Sequence, residues 1–261
     1  MKGKLREREI MTLLRDSGEV SVLDMANRFQ VSEMTIRRDL AELERRGVVI
    51  RTYGGARSLF QEVGDESYND RASDALPLKA AIANAARAYI KPGIHVFIDS
   101  GTTTWALAKS LPRDLEAHIT TNDIGIAHHL LTYPKIQLSI VGGIVRQIQH
   151  AVVGSTAVEM IKAMTAEIAF IGVNGFSLQR GFTTVNPFDA DIKQAMITCA
   201  DHVIILADST KAGKVRSYPV AGLGKGHHLI SDSGLPDEFR AGLEEAGIKV
   251  EIVSVEQTHS A

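Results

Sequence analysis

The chain has 261 residues, 44% of them hydrophobic and 23% charged, with a formal net charge of −2 and a single cysteine, Cys199. This excludes a disulfide-stapled scaffold and a low-complexity or membrane-spanning chain, and the length suits two domains in a reducing, cytoplasmic setting. The charge is uneven: residues 1–60 hold twelve Lys/Arg against nine Asp/Glu, and the rest hold 17 against 22, so only the head suits a polyanion partner.

The first 60 residues read as three helices and a hairpin. Ile10, Leu13 and Leu14 have helical spacing over 5–16, and Gly18 stops that helix. Ser21 caps a second helix with Asp24 three residues on, and Leu23, Ala26 and Phe29 are expected to face inward. Gln30-Val31 turns into a third helix that starts at Ser32, with Glu33 in its first turn. Ile36, Leu40 and Leu43 form its apolar face, and Gly47 is expected to close it. Residues 48–53 read as a strand, Gly54-Gly55 as a turn, and 56–60 as a returning strand.

The free face of the third helix carries Met34, Thr35, Arg37 and Arg38. A short polar helix start with two guanidinium groups suits a major groove. Arginine bridges guanine edges or holds phosphate, and Thr or Met touches a thymine methyl. The second helix crossing before it makes a helix-turn-helix, and the hairpin makes a wing whose Arg51 and Tyr53 reach backbone or minor groove. The competing reading is a solvated face with Arg37–Glu33 and Arg38–Glu42 pairs at i, i+4.

Residues 61–75 are polar and aperiodic, a linker. An Ala-rich helix is expected over 78–90. Strands over 94–98, 118–121, 136–141, 168–172, 203–207, 228–231 and 250–253 then alternate with helices near 103–110, 124–132, 155–164, 189–200 and 236–246. This predicts an α/β domain around a mostly parallel sheet.

The sharpest feature of the body is HVFIDSGTTTWALAKSL. A strand ends at Asp99, and Ser100, Gly101, Thr102, Thr103 and Thr104 lead into a helix. Free N–H groups and hydroxyls there form an anion cradle, while the plain alternative is a Thr-rich cap with nothing bound. Further strand ends carry Asn122, Gly142-Gly143, Asn174 and Asp208-Ser209-Thr210-Lys211, and ligands of parallel sheets sit at such ends. Lys193 and Lys211 would add positive charge for a phosphomonoester. Asp201, Asp208 and Asp232 read as acid/base groups or as caps of helices and turns. No metal-ligand spacing appears, and neither a metal nor a cofactor is expected.

Two sets of motifs carry a family resemblance. VSEMTIRRDLAELERRGVVIRTYGGA resembles the DNA-reading signature of the DeoR family of bacterial transcriptional regulators. FIDSGTTT, TTND, VGGIVR, FIGVNGFSLQRGFTT, DIKQAM and LADSTKAGK resemble successive motifs of its sensor domain. The resemblance implies a winged helix-turn-helix over 1–60 and a Rossmann-like α/β sensor domain over 76–261, similar in fold to ribose-5-phosphate isomerase and binding phosphorylated sugars. It makes Ser32, Thr35, Arg37 and Arg38 DNA contacts, with Asp39 orienting a neighbouring arginine. It places the phosphate and sugar at 99–104 and adds Asn122, Gly142, Gly143, Lys193 and Lys211 to the pocket. The chain departs from the family pattern at Asp189 and at Asp208-Ser209-Thr210-Lys211, where a sugar would be discriminated. The function implied is a non-enzymatic repressor of a carbohydrate-utilisation operon, a dimer or tetramer on operator DNA controlled by a sugar phosphate. The alternative is an isomerase-like enzyme with an appended DNA-binding head.

Overall fold

Apolar spacing and side-chain caps set the first elements in a computed structural model that describes residues 3–17, 19–45, 49–58, 75–224 and 226–254. Helix α1 runs Gly3–Ser17, followed by β1 (Glu19–Ser21), α2 (Val22–Phe29) and α3 (Glu33–Arg45). Ser21 caps α2 by accepting from the Asp24 N–H, and Gln30 ends it in the left-handed conformation at φ 52. Ser32 caps α3 by accepting from the Thr35 N–H at 3.3 Å. Ile36, Leu40 and Leu43 are fully buried against Ile10, Leu14 and Phe29.

Leu23 departs from the inward expectation. It is exposed, because Val22, Met25, Ala26 and Phe29 form the buried stripe of α2 one residue out of phase with it. The expected closure of α3 at Gly47 and the linker over 61–74 lie outside the described residues.

Strands β2 (Val49–Thr52) and β3 (Gly55–Ser58) make the hairpin. Tyr53-Gly54 is the turn, so Gly55 belongs to a strand and not to the predicted Gly-Gly turn. The reason is β1, which sequence patterning missed: it pairs antiparallel with β3, Ser21 opposite Gly55, in a sheet ordered β1-β3-β2. A Cβ on Gly55 would stand 1.9 Å from the Val20 carbonyl oxygen, so only glycine permits that approach.

The body opens with α4 (Leu76–Arg87), then β4 (His95–Ile98), α5 (Thr102–Ser110), β5 (Ala117–Thr121), α6 (Ile124–Leu130) and β6 (Ile136–Ile140). Strands β7 (Ile144–Arg146) and β8 (Ala151–Val153) lead to α7 (Ser155–Lys162) and β9 (Ala166–Gly172). Next come β10 (Gly175–Ser177), β11 (Gly181–Thr184), α8 (Pro187–Thr198) and β12 (Ala200–Leu206). The chain continues through a 3-10 turn (Ser209–Lys211), β13 (Tyr218–Ala221), β14 (His227–Asp232), α9 (Asp237–Glu245) and β15 (Lys249–Val253).

Seven strands form one parallel sheet ordered β15-β14-β12-β9-β4-β5-β6. These are the seven strands read from apolar runs. Both faces are covered, so the strands need apolar residues at consecutive positions. On one face Phe97, Ala169, Ile171 and Ile205 pack with Ile161, Ile192 and Met196 of α7 and α8. On the other, Val96, Ile98, Phe170 and Leu206 pack with Ile82, Leu107 and Ile126 of α4, α5 and α6. The antiparallel sheet β10-β11-β13 and the pair β7-β8 were not anticipated, because three- and four-residue strands carry too few positions for a period.

The chain divides into two compact units, Met1–Asp65 with Arg146–Ile148 and Glu66–Val145 with Gln149–Ala261.

Candidate functional site

Each unit presents one candidate site. In the first, the buried stripe of α3 turns the opposite face to solvent. Met34 is 73% exposed, and Arg38 is exposed with no carboxylate partner among the described residues. Arg37 lies 3.3 Å from Glu33, the expected i, i+4 pair. Glu42 bonds Arg45 at 2.6 Å, and no Arg38–Glu42 pair forms. Exposed pairs of this kind contribute about 0–1 kcal/mol and leave the arginines available to a stronger anion. Ser32 and Thr35 hold each other through their hydroxyls at 3.0 Å. Tyr53 stands fully exposed at the hairpin tip, whereas Arg51 is 3.6 Å from Glu44 and donates its N–H to the same carboxylate.

Asp39 corrects the expectation attached to it. It orients neither Arg37 nor Arg38 but takes a two-pronged bond from Arg6 of α1, Nε at 2.5 Å and Nη2 at 3.1 Å. One helical turn cannot carry the carboxylate to Arg37 or Arg38, which point to other azimuths, while α1 packs on its own side. Asp39→Asn is therefore expected to cost about 1.5–3 kcal/mol of head stability, seen as faster amide hydrogen exchange in α1 and α3, with the DNA affinity of folded protein unchanged. Weakened DNA binding at unchanged protection would contradict this assignment.

In the second unit, β5 and β6 lie on one side of β4, and β9, β12, β14 and β15 on the other. The ends of β4 and β9 therefore flank the topological switch point, where open parallel sheets leave a crevice. Asp99 follows β4 directly. It is fully buried, donates its N–H to Phe170, and accepts from the Gly172 N–H at 3.1 Å. Lys193 of α8 reaches the same Oδ2 and also lies 3.2 Å from Asp189, one helical turn earlier. Asp189 in turn accepts from the Thr184 hydroxyl at 2.5 Å.

Burial pushes Asp99 up to about 7, against the pull of the Lys193 ammonium. Burial acting alone would lower Lys193, but Asp189 and Asp99 outweigh it and hold the ammonium above its ordinary value. Two carboxylates thus share one buried ammonium, and Asp99 Oδ1 is buried with no hydrogen-bond partner. The charge foreseen at Lys193 for a phosphomonoester is matched inside the protein.

The loop after Asp99 forms the wall. Gly101, at φ 154, begins α5 with no side-chain cap on the helix N–H groups. Ser100, Gly101, Thr102 and Thr103 line the crevice with Asn174, Lys193, Asp208 and Lys211. Asp208 is buried and caps the 3-10 turn, accepting from the Thr210 N–H. Asp232 caps likewise, accepting from Ser209 and Gly234, and Asp201 is exposed.

Five expected pocket residues are not in the lining, the first of them the fully buried Asp99. Asn122 is buried behind the loop, accepting from the Ser100 N–H and donating to Ser100 Oγ and the Val152 carbonyl. Thr104 turns back to donate to Gly101 O at 2.9 Å. Gly142 donates its N–H to Met160 Sδ, and Gly143 packs against β8, where a Cβ would meet Val153 O at 2.6 Å. Asp189 lines the crevice, as the family pattern implied, and Lys79 and Gln149 line it without having been placed there from sequence. Lys79 carried a signal: it shares the buried stripe of α4 with Ile82, Ala83 and Ala86, a cation at a core spacing.

The DeoR-like helix-turn-helix domain matches residues 6–62, and the DeoR C terminal sensor domain matches residues 75–233. The chain belongs to the DeoR family. A relative from Haloferax volcanii, the HTH-type transcriptional regulator GlpR, is 33% identical over 94% of this chain and 96% of its own. The Escherichia coli O157:H7 protein named for transcriptional repression of the aga operon is 32% identical over 95% of this chain and 93% of its own. Among solved structures, ribose 5-phosphate isomerase A from Methanocaldococcus jannaschii aligns at 15% identity and TM-score 0.38, over 51% of this DeoR-family chain and 53% of the isomerase. The chain is thus a DNA-binding transcriptional regulator of DeoR type, with a helix-turn-helix unit and a sensor domain on a parallel α/β sheet. No helix among the described residues is long and apolar enough to cross a membrane.

Proposed function

We propose that this regulator represses a carbohydrate-utilisation operon from the cytoplasm and is controlled by a phosphorylated sugar bound at the switch point of its sensor sheet. One observation carries the effector reading. The uncapped start of α5 and the strand-end groups Asn174, Asp208 and Lys211 line a single crevice. The phosphate lies against the N–H groups and hydroxyls of residues 100–103, where helix partial charge favours an anion. Asn174, Asp208 and Lys211 then reach the sugar hydroxyls. The resident ion pairs of Lys193 support a hydroxyl-orienting role for that residue over a phosphate-binding one.

On the DNA side, Ser32, Met34, Thr35, Arg37 and Arg38 read the major groove, and Tyr53 and Arg51 support them from the wing. One short helix reads few base pairs, so the regulator acts as a dimer or tetramer on repeated half-sites. Effector binding shifts the balance between subunit arrangements, with a coupling of about 1–3 kcal/mol if it is typical.

The second reading is a sugar-phosphate isomerase-like enzyme with an appended DNA-binding head. One experiment separates them: binding to genomic DNA fragments across a salt series, with aldose and ketose phosphates, the free sugars and inorganic phosphate. Affinity is expected to fall steeply with salt, and one phosphate ester is expected to change it about 5–150-fold while its free sugar does not. Interconversion of aldose and ketose phosphates, lost in Asp99→Ala, would establish the enzyme instead.

A further inference from the structure

A second cavity adjoins the effector crevice and shares two of its walls, Lys79 of α4 and Thr102 of α5. It measures about 530 Å3, within the range of small-molecule sites. Half-buried Trp105 and Ala106 line it with the exposed Ala80, Asn84 and Lys109. The indole is held in place, edge to face with His129 at a centroid distance of 5.3 Å, and the Lys109 ammonium lies over the ring, 5.7 Å from its centroid.

These features match the two sides of a sugar ring. The C–H face of a pyranose packs on a flat aromatic surface once the exposed Lys109 ammonium swings off the ring, and its hydroxyls then take bonds from that ammonium and from the Asn84 amide. Thr102 belongs both to the loop assigned to phosphate and to this cavity, so a ligand anchored there has a continuous path over the first turn of α5. We infer that the effector is a phosphorylated disaccharide, its phosphosugar unit in the strand-end crevice and its second ring on Trp105. This rests on the phosphosugar reading given above and adds the size of the ligand to it. Trp105 and Ala80 then set specificity between one ring and two.

The chain holds a single tryptophan, so its emission comes from this cavity's wall. Full-length protein is titrated with glucose 6-phosphate, with the 6-phosphates of trehalose, sucrose and cellobiose, and with the three unphosphorylated disaccharides. Binding is read by calorimetry and by tryptophan emission. At least one disaccharide phosphate is expected to bind about tenfold tighter than glucose 6-phosphate and to shift the emission, while the free disaccharides do neither. Trp105→Leu and, because Trp105 also packs on the core, the exposed-site filler Ala80→Tyr should each bring that ligand down to the glucose 6-phosphate level. Both should leave glucose 6-phosphate binding within twofold. If glucose 6-phosphate binds as tightly as every disaccharide phosphate and the emission does not move, the inference falls and the phosphosugar reading stands. If no phosphate ester binds, both fall together.

Discussion

Arg38→Ala is expected to weaken operator binding by about 1–3 kcal/mol, or roughly fivefold to more than a hundredfold, with no change in melting temperature. The asymmetry follows from where the side chain sits. Arg38 is exposed on the solvent face of α3 and has no carboxylate partner among the described residues, so its removal opens no cavity and strands no buried charge. Arg37→Ala should behave similarly, because its pair with Glu33 is half-exposed and contributes little to folding. The measurement is binding to a selected operator fragment across a salt series, beside thermal melts of the same preparations. A base contact shows as relaxed sequence preference, and a phosphate contact as a salt slope lower by about one. Undiminished binding by the double variant would remove α3 from the interface.

Lys193→Met should have the largest effect on the body, a loss of about 3–5 kcal/mol of stability. Methionine keeps the length of the stem but leaves Asp99 and Asp189 facing each other, buried, with no ammonium between them. The pH dependence has a definite sign. Burial already raises Asp99 from 3.8 to about 7, so the folded state binds protons there more readily than the unfolded chain. Stability therefore rises as pH falls through the raised value toward the ordinary one, and the deficit of the variant should shrink from neutral to mildly acidic conditions. Urea unfolding at several pH values tests this. A variant in which Met or Leu replaces all three charged residues should recover much of the loss, because a packed apolar cluster carries no desolvation penalty. A deficit that grows on acidification would overturn the assignment of the proton to this cluster.

The sequence by itself determined what depends on neighbours along the chain. Ser21 and Ser32 announce helix starts because a hydroxyl caps N–H groups two or three residues ahead. Ile36, Leu40 and Leu43 announce a buried face because 3.6 residues make a turn. The seven sheet strands were legible as Val/Ile runs because a parallel sheet buried on both faces tolerates few polar residues. The 99–104 segment was legible because an apolar strand, then a glycine, then a polar helix start is a strand-to-helix turn.

Only the tertiary structure decided matters that depend on which distant segments meet. Asp39 lies beside two arginines in sequence yet pairs with Arg6, because α1 crosses α3 at that azimuth. The strand at Glu19–Ser21 exists because β3 supplies its partner, and three residues alone show no period. Asn122 and Thr104 have the chemistry of pocket residues but brace the loop from behind, while Lys79 enters the crevice from a helix with no ligand motif. Lys193 reads as a phosphate cation until Asp99, 94 positions away, is seen beside it. Local sequence sets backbone preference and amphipathic period, both short-range. The partner of a charge is chosen by packing between segments far apart in the chain, which no window of neighbouring residues contains.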